Sequence, residues 1–327
     1  MKKIHIITTG GTISAQRAEN RGLNLGKVSM KNLFDTLQCP SDCQFVFHDL
    51  AAIDSSLLTF DILYQITTCI NKIFNDNDSL GVIITQGTDT LEESAYFISL
   101  CYPQNEKRPV IITGSQRPTD ELGSDAPANL QDAIWTILSP SAQNLGVLVL
   151  FNQTLSMPRY VHKSHTYFLH AFQSIQYGML GTVDKGKVSI VQIPAKQEHY
   201  TIQKLPFPRI DIYKASLNCT GDILKYYKDM KYQAIIIEAF GRGNVTAELA
   251  NNIKNLINSG CYVIITSDCA SGSVFPLYNF SGGLIPLMEY GAIPAYNYSA
   301  KKARIKMAVL LASGITNKEE IAKHFLE

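Results

Sequence analysis

Short apolar runs rich in β-branched residues recur along the chain, at 4–7, 45–47, 82–84, 110–112, 147–150, 235–237 and 263–265. Runs of this length without polar alternation mark strands buried on both faces. Between them the period changes. Leu63, Ile66, Ile70 and Ile73 recur at helical spacing, and Ala126 to Leu138 follows Ser124-Asp125 with Pro127 in its first turn, where a missing N–H costs nothing. Strands alternating with helices predict an α/β fold built on a mostly parallel, helix-covered sheet.

The alternation breaks once. Residues 193–208 carry Pro194, Pro206 and Pro208 among polar residues and show no clear period. We therefore expect a larger N-terminal α/β domain over 1–193, a linker over 194–208, and a second, smaller α/β domain over 209–327.

Two polar turns stand directly after buried runs: Thr9-Gly10-Gly11-Thr12 and Gln86-Gly87-Thr88-Asp89-Thr90. In a parallel sheet both emerge at carboxyl ends of strands, the edge where open α/β sheets bind ligands. Gly10 and Gly11 remove side chains beside Thr12, so a ligand can approach the backbone while Thr12 presents a hydroxyl. A hydroxyl is a weak nucleophile at neutral pH and needs a base or a cation to assist it, a role within reach of a lysine. Thr90 and Glu93 have the spacing of a capping box, so Thr90 is expected to cap a helix. Thr88 and Asp89 then lie before a helix N-terminus, which favours a bound carboxylate or an oxyanion, while Asp89 can instead take a ligand ammonium. Each turn by itself also reads as an ordinary strand-to-helix connection.

Composition narrows the partners. Hydrophobic residues make up 46% of the 327, and 29 basic against 28 acidic residues leave a formal charge of +1, so no net field attracts nucleic acid or an anionic membrane. A small neutral or zwitterionic ligand fits better. The amino terminus reads as a first strand rather than a signal peptide, and no run approaches the roughly 20 apolar residues that cross a bilayer. Seven scattered cysteines suit a reducing compartment, so the cytoplasm is the expected location. Cys39 and Cys43 lack a second closely spaced Cys/His pair, so a structural zinc is not expected.

The joint form of these motifs resembles the bacterial L-asparaginase family: Thr9-Gly10-Gly11-Thr12-Ile13 is similar to its first signature, and Gly87-Thr88-Asp89-Thr90 to the core of its second. Thr113-Gly114-Ser115-Gln116-Arg117-Pro118, the segment Ser124-Asp125-Ala126-Pro127-Ala128-Asn129-Leu130 and Gly241-Arg242-Gly243-Asn244 extend the likeness over most of the chain. Asp54-Ser55-Ser56 and Gly114-Ser115-Gln116 look closer to the cytoplasmic type. The resemblance implies hydrolysis of the L-asparagine side-chain amide to L-aspartate and ammonia, without a metal or organic cofactor. It matches Thr12 to the first catalytic threonine, and Thr88, Asp89 and Lys163 to a second threonine, aspartate and lysine set. Ser55 matches a residue holding the substrate's α-carboxylate, and Gly11, Ser56, Gly87, Thr88, Asp89 and Ser115 complete the implied substrate-binding set. Cys269, in Cys269-Ala270-Ser271-Gly272, resembles part of a regulatory asparagine site. A homodimer or homotetramer with sites at subunit interfaces is implied as well.

The chain departs from the pattern in two places. Where the family carries a tyrosine in the loop after the first motif, this chain has Leu23, and no tyrosine occurs before Tyr64. Leucine cannot hold a threonine hydroxyl, so the place of the phenol falls to a tyrosine such as Tyr290, to activation without a phenol, or to a degraded site. The last of these makes the chain a catalytically weak asparagine-binding or regulatory homologue. Gln86 replaces a common histidine. Two further readings compete: a metal at His162, His165 and His170, and dinucleotide binding at Gly241-Arg242-Gly243, which lacks a third glycine.

Overall fold

The computed structural model describes the chain except residues 18–21, 25, 27, 195–197 and 327. It divides into two compact units, Met1–His199 and Tyr200–Glu327, with the division inside the Pro-rich segment.

In the first unit, β1 (Lys2–Gly10) leads through β2 (Gln16–Arg17), β3 (Leu23–Asn24) and α1 (Met30–Phe34) to β4 (Cys43–Ile53). Regular alternation follows: α2 (Phe60–Ile73), β5 (Ser79–Thr85), α3 (Leu91–Leu100), β6 (Val110–Thr113), α4 (Ala126–Leu138) and β7 (Val147–Phe151). The unit ends in short strands, β8 (Thr154–Ser156), β9 (His162–Lys163), β10 (Phe172–Gln173), β11 (Gly181–Asp184) and β12 (Lys187–Ile190). Eight of these strands form one sheet in the order β12-β11-β8-β7-β6-β5-β1-β4. Strands β4, β1, β5, β6 and β7 run parallel, and β8, β11 and β12 extend them antiparallel.

Burial explains why the unalternated runs became strands. Neighbours Ile6 and Ile7, Ile83 and Ile84, and Ile111 and Ile112 are all fully buried although they face opposite sides of the sheet. Each contributes about 2 to 3 kcal/mol by leaving water. On one face Ile4, Ile6, Ile83 and Leu148 pack with Leu130, Ala133, Ile134 and Ile137 of α4. Helix α2 buries Leu63, Ile66, Ile70 and Ile73 as one stripe, and Thr59 starts it by accepting from the Ile62 N–H.

The chain order creates a crevice. From β1 the chain passes outward to β4, returns across β1 to β5, and continues away through β6 and β7. Connections leaving β1 and β5 therefore run in opposite directions, which makes their carboxyl ends the switch point of the sheet, the place where open α/β sheets bind ligands. Thr8 of β1 stands opposite Thr85 of β5, so both turns leave the sheet at one height.

The second unit contains β13 (Ile210–Lys214), α5 (Ile223–Asp229), β14 (Ala234–Ala239), α6 (Ala247–Asn258), β15 (Tyr262–Ser267), α7 (Leu284–Tyr290), β16 (Ile293–Pro294), α8 (Ala300–Ala312) and α9 (Lys318–Phe325). Its four strands lie parallel in sequence order. Ile235, Ile237, Val263 and Ile265 pack with Leu249, Ile253 and Leu256 of α6.

Candidate active site

The two turns touch through their glycines. Gly11 has φ +86°, and a Cβ placed on it would lie 2.2 Å from the Gly87 nitrogen, so only glycine lets the backbones meet here. A Cβ on Gly87 would in turn lie 2.9 Å from Ser55 Oγ. After Gly11 the chain makes one short 3-10 turn, Thr12–Ser14, closed by Ser14, whose N–H and hydroxyl both donate to the Gly11 carbonyl at 3.0 Å. Thr12 leads this turn from its partly exposed side.

Around the second turn the polar groups interlock. Thr88 is buried, at 7% exposure, and Lys163 Nζ donates to its Oγ1 at 2.8 Å and to Asp89 Oδ1 at 2.6 Å. The lysine side chain is largely covered whereas Asp89 faces outward, 63% exposed. Ser55 Oγ accepts from the Asp89 N–H at 3.2 Å and keeps its own O–H for a ligand. Lys163 thus places a positive charge against a hydroxyl, an arrangement that favours the alkoxide over the alcohol.

Thr90 corrects the sequence reading. It occupies the position before α3, but its hydroxyl does not cap the helix; it donates to the Ser55 carbonyl at 2.7 Å. The Glu93 N–H instead reaches the Thr90 carbonyl at 3.0 Å. The contact to the distant loop orients the Thr90 side chain and ties Ser55 to the second turn.

The remaining selected serines are engaged. Ser56 donates through its hydroxyl at 2.6 Å and its N–H at 2.9 Å to Asp54, and these two bonds, aided by the Lys163 charge, hold the Asp54 carboxyl below its usual range. Buried Ser115 donates to the Arg117 carbonyl at 2.8 Å. The turn after β6 is braced from α4: Asp125 accepts from the Gln116 and Arg117 N–H groups at 3.0 Å, and Asn129 Nδ2 donates to the Gly114 carbonyl at 3.0 Å. Asp125, which also stands at the start of α4, and Asn129 thus shape the turn after β6.

The three histidines do not converge. His162 Nδ1 lies 3.0 Å from Glu92 Oε2, and His165 stacks on Phe168 at 3.5 Å between ring centroids while its Nδ1 accepts from the Tyr167 and Phe168 N–H groups. Among the described residues no group of three or more His, Cys, Asp or Glu side chains is placed to hold a metal. Cys39 is pushed up to about 11 by burial, then by Cys43 beside it, so that thiol stays protonated.

Comparison with known proteins assigns the frame. Residues 3–196 match the family described as Asparaginase, N-terminal, and residues 209–325 match the Glutaminase/Asparaginase C-terminal domain. The chain belongs to the asparaginase family. It is 36% identical to an L-asparaginase of Bacillus licheniformis over 95% of this chain and 96% of that protein. A probable L-asparaginase of Deinococcus radiodurans is 30% identical over 100% of this chain and 98% of its own length. The solved structure of a probable cytoplasmic L-asparaginase from Campylobacter jejuni superposes with a TM-score of 0.88 at 27% identity, covering 100% of both chains.

Within this asparaginase frame the departures have definite places. Leu23 lies on β3, opposite Arg17 of β2, and is 44% exposed. Residues 18–21 and 25 of the same loop lie outside the described residues. Tyr290 belongs to the second unit, where its ring packs on the core beneath the Lys254 ammonium, 4.7 Å from the ring centroid. Gln86 is fully buried and its amide donates to Ser94 Oγ at 2.9 Å, fastening the second turn to α3. The Gly241-Arg242-Gly243-Asn244 segment is a tight turn closed by a Phe240–Asn244 bridge, and Thr246 caps α6 by accepting from the Leu249 N–H at 3.1 Å. Cys269 is exposed after β15. No helix among the described residues is long and apolar enough to cross a membrane.

Proposed function

We propose that this chain is a cytoplasmic L-asparaginase that hydrolyses the side-chain amide of L-asparagine to L-aspartate and ammonia. The observation that carries the reading is Lys163 bridging Thr88 and Asp89 at the crevice where Gly11 meets Gly87.

L-Asparagine offers a carboxylate, an ammonium and a neutral amide. Ser55 has a hydroxyl proton for the carboxylate, and exposed Asp89 takes the ammonium. Thr12 Oγ then attacks the amide carbon. Backbone N–H groups of the glycine turns stabilise the oxyanion, the threonine proton passes to the leaving nitrogen, and ammonia departs from an acyl-threonine ester. In the second half Thr88 relays a proton: water attacks the ester carbon, Thr88 takes a proton from it while giving its own to the departing Thr12 oxygen, and the Lys163 ammonium steadies the charge that passes over the Thr88 oxygen, so L-aspartate leaves and Thr12 is restored. Gly11, Gly87, Ser56 and Ser115 shape the pocket around this path. The working form is a homodimer or homotetramer with sites at subunit interfaces, and Cys269 belongs to a regulatory asparagine site.

Ammonia release measured beside calorimetric binding of L-asparagine tests the central reading. Turnover that saturates with L-asparagine is expected. Tight binding with no release above buffer would instead make the chain an asparagine-binding protein.

A further inference from the structure

Lys163 reaches Thr88 and Asp89 from a weakly built strand. β9 has two residues, and its ladder consists of Lys163 opposite Phe172 and His162 opposite Gln173. A lysine side chain has several free torsions, and holding its ammonium on two acceptors requires that the backbone beneath it stay still. Part of that support comes from the hairpin itself: Val161 is fully buried, Phe172 stacks on Phe151 at 4.2 Å, and the Ser164 N–H donates to the Ala171 carbonyl at 2.7 Å.

A separate contact connects the hairpin to the other half of the constellation. His162, immediately before Lys163, places Nδ1 3.0 Å from Glu92 Oε2, and the Glu92 side chain is only 4% exposed. Glu92 lies in the first turn of α3, the helix that begins directly after the Thr88-Asp89 turn. Consecutive residues of β9 are therefore bonded to neighbouring positions of one turn-and-helix start, Lys163 to Thr88 and Asp89, His162 to Glu92. The contact joins the strand before Lys163 to the helix start beside Thr88 and Asp89 at a point shielded from water, where a hydrogen bond is not replaced cheaply by solvent.

We infer that the Glu92–His162 pair is a positioning device that holds Lys163 on Thr88 and Asp89, an inference that rests on the asparaginase reading. Both residues act through the lysine, by fixing the strand that carries it. With the pair broken, β9 can shift against α3, and a displacement of about 1 Å at a catalytic group costs up to about a hundredfold in rate.

Steady-state kinetics on L-asparagine with full-length protein test it, with thermal melting of every variant alongside. For His162→Ala, kcat should fall about ten- to a hundredfold while KM changes by less than about threefold, since the substrate-holding groups stay in place. His162→Asn, whose amide can donate from nearly the Nδ1 position, should recover most of that loss at the same melting temperature. Glu92→Gln, which still accepts from His162, should stay close to wild type. His162 is partly exposed, so its variants can fold even if substitutions at buried Glu92 do not. The inference fails if His162→Ala keeps the wild-type kcat, if Asn and Ala are equally impaired, or if a crystal structure of His162→Ala still shows Lys163 Nζ 2.8 Å from Thr88 Oγ1. Absence of ammonia release from the wild-type protein is a different failure and removes the asparaginase reading on which the pair depends.

Discussion

Thr88 and Thr12 leave adjacent strands at one edge of the same sheet, yet their hydroxyls are held in opposite ways. Thr88 is buried under an ammonium shared with a carboxylate. Thr12 leads a single 3-10 turn shaped by glycines, and its hydroxyl bonds to no described residue. The contrast fits a division of labour. Water is a small nucleophile without anchors, so the group that activates it must be preorganised by charge, whereas an attacking threonine is oriented by the backbone and by the substrate lying on it.

The sharpest way to break this contrast is to remove the charge. Thr88→Val or Lys163→Met should lower kcat about a thousandfold or more, read as ammonia release, because a preorganised electrostatic group acts in a water-poor site. Retention of most of the rate would take Thr88 and its lysine out of the chemistry. In the opposite direction, Leu23→Tyr supplies the first turn with a polar partner. If Thr12 lacks only that partner, kcat should rise about ten- to a hundredfold; an unchanged rate would show that Thr12 is activated without a phenol.

Gly11→Ala tests the contact between the turns. Its φ of +86° and the 2.2 Å approach to the Gly87 nitrogen leave no room for a methyl group. We expect a loss of about 3 kcal/mol in urea unfolding together with reduced turnover. Full activity at unchanged stability would mean that the turns move independently.

Acid should separate the two strands more gently. His5 on β1 bonds His48 of β4 at 2.9 Å, and burial, followed by the charge of His48, holds it at about 4. The unfolded chain, with the ordinary histidine pKa near 6.5, takes up this proton first as pH falls. The stability from neutral His5 is therefore intact above about pH 6.5 and fades by about 2 to 3 kcal/mol down to about pH 4. Amide exchange near pH 4.5 should rise in β1 and β4 before β5 and β6, and His5→Asn, which keeps a partner for His48 without titrating, should flatten the acid slope. Equal acceleration in all four strands would locate the weakness elsewhere.

The strands of the parallel layer were legible because burial on both faces leaves a run of apolar residues that a local reading detects. Strands β8 through β12 were not read, since two to four residues of mixed polarity carry no period. The glycine turns were legible for the same local reason: backbone freedom is a property of the residue itself. Asp125 and Asn129 were visible as letters, but their bonds to the turn after β6 depend on where α4 lies.

Neighbours along the chain thus decide where strands, helices and glycine turns form, and with the family motif they single out Thr12, Thr88 and Asp89. Partners of the side chains come from farther away. Lys163 meets Thr88 across 75 residues, His162 meets Glu92 across 70, and the Thr90 hydroxyl donates to the Ser55 carbonyl across 35 while accepting from no N–H of its own helix. Those contacts exist because the sheet order brings the ends of β1 and β5 together and the folded chain lays the separate β9–β10 hairpin against them, and a hydroxyl or ammonium there bonds to whichever acceptor the closed fold presents nearest.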